Sequence, residues 1–213
     1  MTRILLIVSA LIAASSAVSA QSPSAIRLRL EPGSVLSISG TSSMHDFACK
    51  TDKMAVYVDV DPDYTKDLTK VSRPIVSVHV TIPVKNLKCG KGAMDDNMYK
   101  TLKADKEPVI KYTLSGYDIL DGTASPAGFA ARTKGTLTVA GQQKDVDMQV
   151  IALRLDAGKA SAEGEQTVLM TDFGIKPPSF MLGTLKVGNE IKVKFNIKVG
   201  PEMLAQIAAL GRP

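Results

Sequence analysis

The sequence predicts an all-β fold, built as a single antiparallel sandwich or barrel. Apolar residues recur with a period of two along most of the chain, most regularly in residues 191–199, where Lys and Asn fill the alternate positions. Such alternation indicates strands with one packed face and one solvated face. Turn-forming pairs such as Pro32-Gly33 and Asp121-Gly122 separate these segments. Helical segments do not alternate with the strands, which excludes a doubly wound α/β fold.

Nine segments carry the strand pattern, and their short connections are typical of a sandwich or barrel. In chain order they are residues 26–30, 35–39, 54–60, 76–84, 109–120, 133–140, 146–155, 160–171 and 191–199. One packed face is expected in the fourth segment, because its apolar residues alternate with Ser77, His79, Thr81 and Pro83. That face consists of Val76, Val78, Val80, Ile82 and Val84.

Two segments depart from the alternation and predict short helices. The first covers residues 95–104, where acidic residues come first and lysines last, as the helix dipole favours. Its apolar side should lie against the mouth or wall of the sheet structure, and that side carries Met94, Met98, Leu102 and Tyr99. The second predicted helix covers residues 201–210, between Pro201 and Gly211.

The first 20 residues have the pattern of a secretory signal peptide. Arg3 supplies a positive start, residues 4–14 are apolar, and Val18-Ser19-Ala20 fits a small-residue cleavage site. An apolar run this short cannot span a bilayer, although an uncleaved anchor is the alternative. We therefore expect a periplasmic protein whose residues 21–213 form one domain.

Cys49 and Cys89 are the only two cysteines. An oxidising compartment favours a disulfide between them, and closing a loop of this length would stabilise the fold by about 4 kcal/mol. Two free buried thiols are the alternative. The chain has no CxxC motif, and two cysteines alone cannot build a structural zinc site.

The usual catalytic signatures, GxSxG, HExxH, the Walker A loop and GxGxxG, are absent. His45 and Asp46 lie close to Ser43, but neighbours in a strand point to opposite faces, and triad partners meet through the fold. We interpret His45 and Asp46 as a polar contact at a strand end; an enzyme built on them is the least favoured alternative.

Metal and nucleic-acid binding are also disfavoured. Met44-His45 and Met94-x3-Met98 offer soft ligands for copper, but Met commonly fills apolar space and no tight ligand cluster appears. Copper handling therefore stays a minor alternative, and no metal site is predicted. The isoelectric point near 9.1 comes from dispersed lysines without interleaved aromatic residues, unlike a nucleic-acid surface.

Lysines concentrate around the first predicted helix. A solvated face is the simplest interpretation. If the helix covers an opening, the same lysines could bring that opening into transient contact with an anionic membrane surface. They are Lys85, Lys88, Lys91, Lys100, Lys103, Lys106 and Lys111.

Four stretches in order resemble the YceI-like family of bacterial periplasmic proteins over about residues 36–199. The first is Ser-Ile-Ser-Gly-Thr-Ser-Ser-Met-His-Asp-Phe at 37–47, and the third is Gly-Thr-Leu-Thr-Val-Ala-Gly at 135–141. The second begins with Ile-Pro-Val-Lys-Asn-Leu-Lys-Cys-Gly-Lys-Gly-Ala-Met-Asp at 82–95. It continues with Asn-Met-Tyr at 97–99 and Leu-Lys-Ala at 102–104. The fourth joins Met-Thr-Asp-Phe-Gly-Ile-Lys-Pro-Pro at 170–178 to Gly-Thr-Leu-Lys-Val-Gly at 183–188.

The resemblance implies an eight-stranded antiparallel barrel, similar in shape to the lipocalins, around an elongated apolar cavity. It implies binding of a polyisoprenoid, such as the chain of an isoprenoid quinone, or of another long-chain amphiphile. It implies no enzymatic activity, and no cofactor is predicted apart from the bound lipid. Neither cysteine belongs to the family pattern, so the disulfide rests on the compartment argument.

The preferred hypothesis is a non-catalytic periplasmic lipid carrier, and the runner-up is a structural or interaction barrel with a filled core and no cargo. The identity of the lipid and the formation of a homodimer are left open. For a hollow barrel we expect one set of side chains to line the cavity. These are Val78, Val80, Ile82, Met94, Met98, Tyr99, Leu114, Leu137, Val139, Met148, Val150, Met170, Phe173, Ile175, Val193 and Phe195.

Overall fold

The alternating segments form strands that share one continuous apolar face. The computed structural model describes residues 25–65, 73–154 and 158–201. Eleven strands and one α-helix, α1, occur in these residues. They are β1 (Ile26–Leu30), β2 (Val35–Ser42), β3 (Phe47–Thr51), β4 (Ala55–Val60), β5 (Ile75–Pro83), α1 (Gly92–Thr101), β6 (Val109–Ile119), β7 (Gly128–Val139), β8 (Gln142–Arg154), β9 (Ala160–Leu169), β10 (Ser179–Phe180) and β11 (Leu185–Pro201).

The sheet closes into an eight-stranded antiparallel barrel. Strands β4 to β9 pair in sequence, and β9 pairs with β11. On its other edge β11 pairs with β2 and, at its end, with β1. In addition, β1 pairs with β4, and β2 pairs with β3. The barrel therefore has eight strands, because β1 and β2 together form one bent strand and β3 and β4 together form another. The predicted antiparallel barrel is confirmed.

The two ends of the barrel differ. The upper end carries the β2–β3, β7–β8 and β9–β11 connections together with α1, which lies between β5 and β6. The lower end carries the β4–β5, β6–β7 and β8–β9 connections. A buried apolar cluster at the lower end contains Leu28, Val60 and Val199. No helix among the described residues is long and apolar enough to cross a bilayer.

A disulfide joins Cys49 on β3 to Cys89, just before α1, so the predicted bridge is confirmed. The main chains of Lys50 and Lys88 exchange two hydrogen bonds of 2.9 Å beside it. The carboxylate of Asp95 in α1 accepts a 2.7 Å bond from the Cys89 N–H. These contacts hold α1 against the upper end of the barrel.

Several predicted boundaries were wrong. Strand β3 and the two-residue β10 were not predicted, and β7 begins at Gly128 instead of residue 133. Residues 170–173 form a 3-10 turn instead of continuing β9. Helix α1 begins at Gly92 and ends at Thr101, three residues earlier at both ends than predicted.

The predicted packed face of β5 was wrong at Val76. A register shift pairs Asp59 with Ser77 and Val60 with Ile75, so one extra residue occurs on β5. Such a bulge reverses the alternation locally. Ile75 therefore lines the interior, and Val76 is 61% exposed.

Two sequence predictions lie outside the described residues. The signal peptide and its cleavage site fall within residues 1–24. The second helix was predicted over residues 201–210; Pro201 is instead the last residue of β11, and residues 202–210 lie outside the described residues.

Candidate functional site

An elongated cavity of about 660 Å³ occupies the barrel interior. On β7 alone its lining extends from Phe129 to Val139. At the usual rise and tilt of barrel strands this distance corresponds to about 25 Å along the axis. The volume lies within the range of small-molecule pockets, about 300–1,000 Å³.

The cavity wall is aliphatic over most of its length, because the inward positions of the strands hold Val, Ile, Leu, Met and Ala. Lysine occurs in the wall at Lys91. Uncharged polar residues are Ser42, Asn97 and Thr101 near the upper end, and Tyr112, Tyr117, Thr133, Ser161 and Gln166 further along the wall. Such a wall can solvate a hydrocarbon chain but cannot compensate the desolvation of a strongly polar ligand.

The lower end is closed by packed side chains. Leu28 and Val60 are fully buried, and the ring of Tyr117 stacks on Phe129 with centroids 6.2 Å apart. The Tyr117 hydroxyl accepts a 3.0 Å bond from the main-chain N–H of Ile75. This end therefore forms the floor of the cavity.

The upper end forms a mouth between α1, the β2–β3 turn and the segment around β10. The Ser43 hydroxyl donates a 3.0 Å bond to the Thr184 carbonyl, which joins the last two elements. Met44 lines the mouth and is 66% exposed. Leu182 is fully exposed, with a positive φ of 55°. The mouth thus presents apolar side chains to solvent.

Every predicted cavity residue except Tyr99 lines the cavity. The position of Tyr99 was wrong: its hydroxyl bonds to the carbonyls of Lys85 (3.0 Å) and Leu87 (2.9 Å) and accepts a 2.7 Å bond from the Lys88 ammonium. One residue along a helix turns the side chain by about 100° from Met98. Tyr99 therefore braces the 84–89 segment.

The side chains of His45 and Asp46 lie in different places at the mouth. His45 lines the upper end of the cavity, whereas Asp46 lies outside the lining. The His45 ring Nδ1 lies 2.9 Å from the main-chain oxygen of Asp46. The structure thus places this imidazole against a main-chain carbonyl and gives no His–carboxylate hydrogen bond at this point.

The remaining lining was not predicted. It includes Leu28, Leu36 and Ile38 of β1–β2, Ala93 and Asn97 of α1, Ile110 and Tyr112 of β6, and Phe129 and Ala131 of β7. The alternation of residues 191–199 would also have indicated Ile191, Ile197 and Val199, which line the cavity beside Val193 and Phe195.

The titration of the cavity tyrosines is perturbed. Burial raises the pKa of Tyr112, although a hydrogen bond with Thr133 opposes the shift. Burial likewise raises the pKa of Tyr117. Within residues 25–65, 73–154 and 158–201, no three His, Cys, Asp or Glu side chains are grouped so that they could hold a metal ion.

The chain has recognisable relatives. A model of the YceI-like domain matches residues 28–199. Burkholderia cenocepacia BcnA has 17% identity and a TM-score of 0.59, over 78% of this chain and 94% of BcnA. A polyisoprenoid binding domain from Saccharophagus degradans, implicated in plant cell wall breakdown, has 13% identity and a TM-score of 0.62, over 83% of this chain and 99% of the domain. A Campylobacter jejuni YceI protein has 17% identity and a TM-score of 0.53, over 70% and 81% of the two chains. No curated protein matches the sequence.

The buried tyrosines predict a pH dependence. Because their folded-state pKa values are raised, the unfolded chain releases these protons first, near pH 10. Their contribution to stability is complete below about pH 10 and is lost as the pH rises further. Replacing both Tyr112 and Tyr117 by Phe should flatten the fall in the free energy of unfolding between about pH 9 and about pH 11.5, measured by urea denaturation.

The control is Tyr57→Phe, because Tyr57 lies on the outer surface and is 38% exposed. This variant should follow the wild-type profile. An unchanged slope in the double variant would contradict the assignment of the effect to the cavity tyrosines.

Proposed function

The chain belongs to the YceI-like family, and from this premise we propose that it is a non-catalytic carrier that holds an isoprenoid-like or other long-chain lipid in its barrel. The observation that carries the proposal is the apolar cavity, which runs from the buried floor to an open mouth. Each CH₂ group transferred there from water contributes about 0.8 kcal/mol. A long chain can therefore bind tightly without a specific polar contact.

The filled-core alternative is less well supported. An eight-stranded barrel is just wide enough for its side chains to fill it or for one small ligand to enter. Here the inward residues are mainly aliphatic, and they leave an open volume inside the barrel. A cavity of about 660 Å³ favours a cargo over a structural barrel.

An enzyme built on His45 and Asp46 is also less well supported. The nearest hydrogen-bond partner of the imidazole is a main-chain carbonyl, and a general base normally needs an orienting group and a nearby reacting atom. The Saccharophagus domain, described as binding polyisoprenoids, favours the lipid-binding proposal for this chain as well.

The proposed compartment is the periplasm. Its support is the signal-peptide pattern of residues 1–20, the periplasmic location of the family and the Cys49–Cys89 disulfide. Disulfides persist in oxidising compartments. A lipid carrier is useful there, because free long-chain lipids are insoluble in the aqueous space between membranes.

We further propose that the mouth docks on an anionic membrane surface. Met44 and Leu182 project from its rim, and Lys91, Lys176 and Lys186 form no ion pair with any carboxylate among the described residues. Exposed apolar side chains and nearby lysines are the features that bind interfacial lipid. The carboxylates of Asp46 on the same rim and Asp96 on α1 are opposing charges.

A substitution at Val193 tests the lipid proposal. It lines the cavity, so Val193→Met should occupy cargo volume without adding charge. We expect less lipid to co-purify, measured by mass spectrometry of the extract, while the free energy of unfolding changes by less than about 1 kcal/mol. Lys194→Gln on the exposed face is the matched control and should change neither property, because it places no like charge opposite Glu165 on β9.

A filled core gives the opposite result. If Val193→Met destabilises the fold by about 1–3 kcal/mol, as overpacking does, and the wild-type protein carries no lipid, the structural-barrel alternative replaces the carrier.

The mouth can be tested with vesicles of phosphatidylethanolamine and phosphatidylglycerol. Met44→Asp combined with Leu182→Asp should lower binding in co-sedimentation by about tenfold or more, because each change removes an apolar side chain from the bilayer interface. Val76→Asp is the control, since Val76 is exposed to a similar degree on the outer wall (61% against 66% for Met44).

The same variants distinguish membrane docking from homodimerisation. Equal vesicle binding by the double variant would contradict the docking proposal. A wild-type dimer in analytical ultracentrifugation that becomes monomeric in the double variant would assign the mouth to a second copy of this chain.

A further inference from the structure

The barrel wall contains a lateral window between β8 and β9. These strands pair only from Val150 opposite Gly164 to Arg154 opposite Ala160. Above Val150, β8 pairs only with β7, and above Gly164, β9 pairs only with β11 within the described residues. The two strands therefore separate toward the upper end.

Gly164 lies at the lower edge of this window. A Cβ atom at Gly164 would lie 2.7 Å from the Phe195 ring and 2.9 Å from the Gln149 carbonyl oxygen, so no larger residue fits where the strands begin to separate. The 3-10 turn Met170–Phe173 closes the upper edge. Phe173 in this turn is buried.

The window lies between the cavity and the outer surface of the barrel. Val146, Gln166, Val168 and Phe173 line both the cavity and a crevice on the outer surface of the barrel. The crevice is polar, and its other residues are Lys144, Asp145, Asp147, Thr167, Leu169 and Asp172. The crevice is therefore the outer side of the window, and it is separate from the mouth.

The chemistry of the window suits an uncharged hydrogen-bonding group. The facing edges of β8 and β9 leave main-chain N–H and C=O groups outside the sheet ladder, and such groups need partners. Gln166 adds a side-chain amide, whose NH₂ group donates a 3.0 Å bond to the Thr167 carbonyl. Asp145, Asp147 and Asp172 outnumber Lys144, so an anionic group would be repelled.

We propose that the polar head of the bound lipid occupies this window, and that the window selects an alcohol or carbonyl head over a phosphate. The apolar tail lies along the barrel axis, as in the proposed function on which this inference rests. The head leaves the aliphatic cavity through the wall, where hydrogen-bonding groups are available. The mouth remains the surface that meets the membrane.

Two probes that share the same isoprenoid tail and differ only in the head group test the proposal. They are geranylgeraniol and geranylgeranyl monophosphate. The wild-type protein should bind the alcohol more tightly in a fluorescence displacement titration. Asp147→Asn combined with Asp172→Asn should strengthen phosphate binding by about fivefold, because two nearby charges are removed. Binding of the alcohol should stay unchanged.

The matched control is Asp96→Asn combined with Asp118→Asn. It removes two exposed carboxylates, one on α1 beside the mouth and one near the lower end, and changes the net charge equally. Equal strengthening of phosphate binding in this control, or no effect of the window variant, would overturn the proposal. If neither probe binds to the wild-type protein, the proposed function itself fails.

Gln166→Leu supplies an independent measurement. It keeps the side-chain size while removing the amide, so it should weaken binding of the alcohol by about threefold, as loss of one hydrogen bond does. Unchanged binding of the alcohol would contradict the placement of the head beside Gln166.

Discussion

Closure of the sheet through β11 is the constraint on which the rest of the structure depends. This 17-residue strand pairs along one edge with β9 and along the other with β2 and β1. Because the ring is closed, the inward side chains of every strand face one shared interior. Those side chains are too small to fill it. A hollow apolar interior therefore follows from barrel geometry combined with residue size.

In the proposed lipid carrier, the mouth and the window between β8 and β9 have different polar roles. At the upper end, the disulfide and the Asp95 carboxylate hold α1 in place, and the rim presents apolar side chains and lysines. In the wall, β8 and β9 separate above Gly164, where main-chain groups stay outside the ladder. Between the mouth and the window the wall is mainly aliphatic. A lipid whose tail and head differ in polarity matches this arrangement, whereas a uniformly polar ligand does not.

The sequence predicted which side chains face the interior wherever the period-two alternation of a strand matched its actual burial. Val193 and Phe195 could be assigned to the interior because their strand alternates without interruption. Val76 could not, because a bulge depends on the register with β4, which one strand does not encode. Tyr99 was misplaced because its hydroxyl finds main-chain carbonyls outside the cavity. The window was not predictable at all, since it arises from pairs that fail to form between two ordinary strands.

Native mass spectrometry of the protein, purified without detergent from the periplasmic fraction of cells that express the full sequence, is the most direct test of the lipid-binding cavity. We expect a population that carries the added mass of one long-chain lipid per chain, which is released on unfolding and identified by fragmentation as an isoprenoid or similar lipid. A protein that carries no added mass, and that gains none after incubation with lipid vesicles, would contradict the claim that the barrel interior is a lipid-binding cavity.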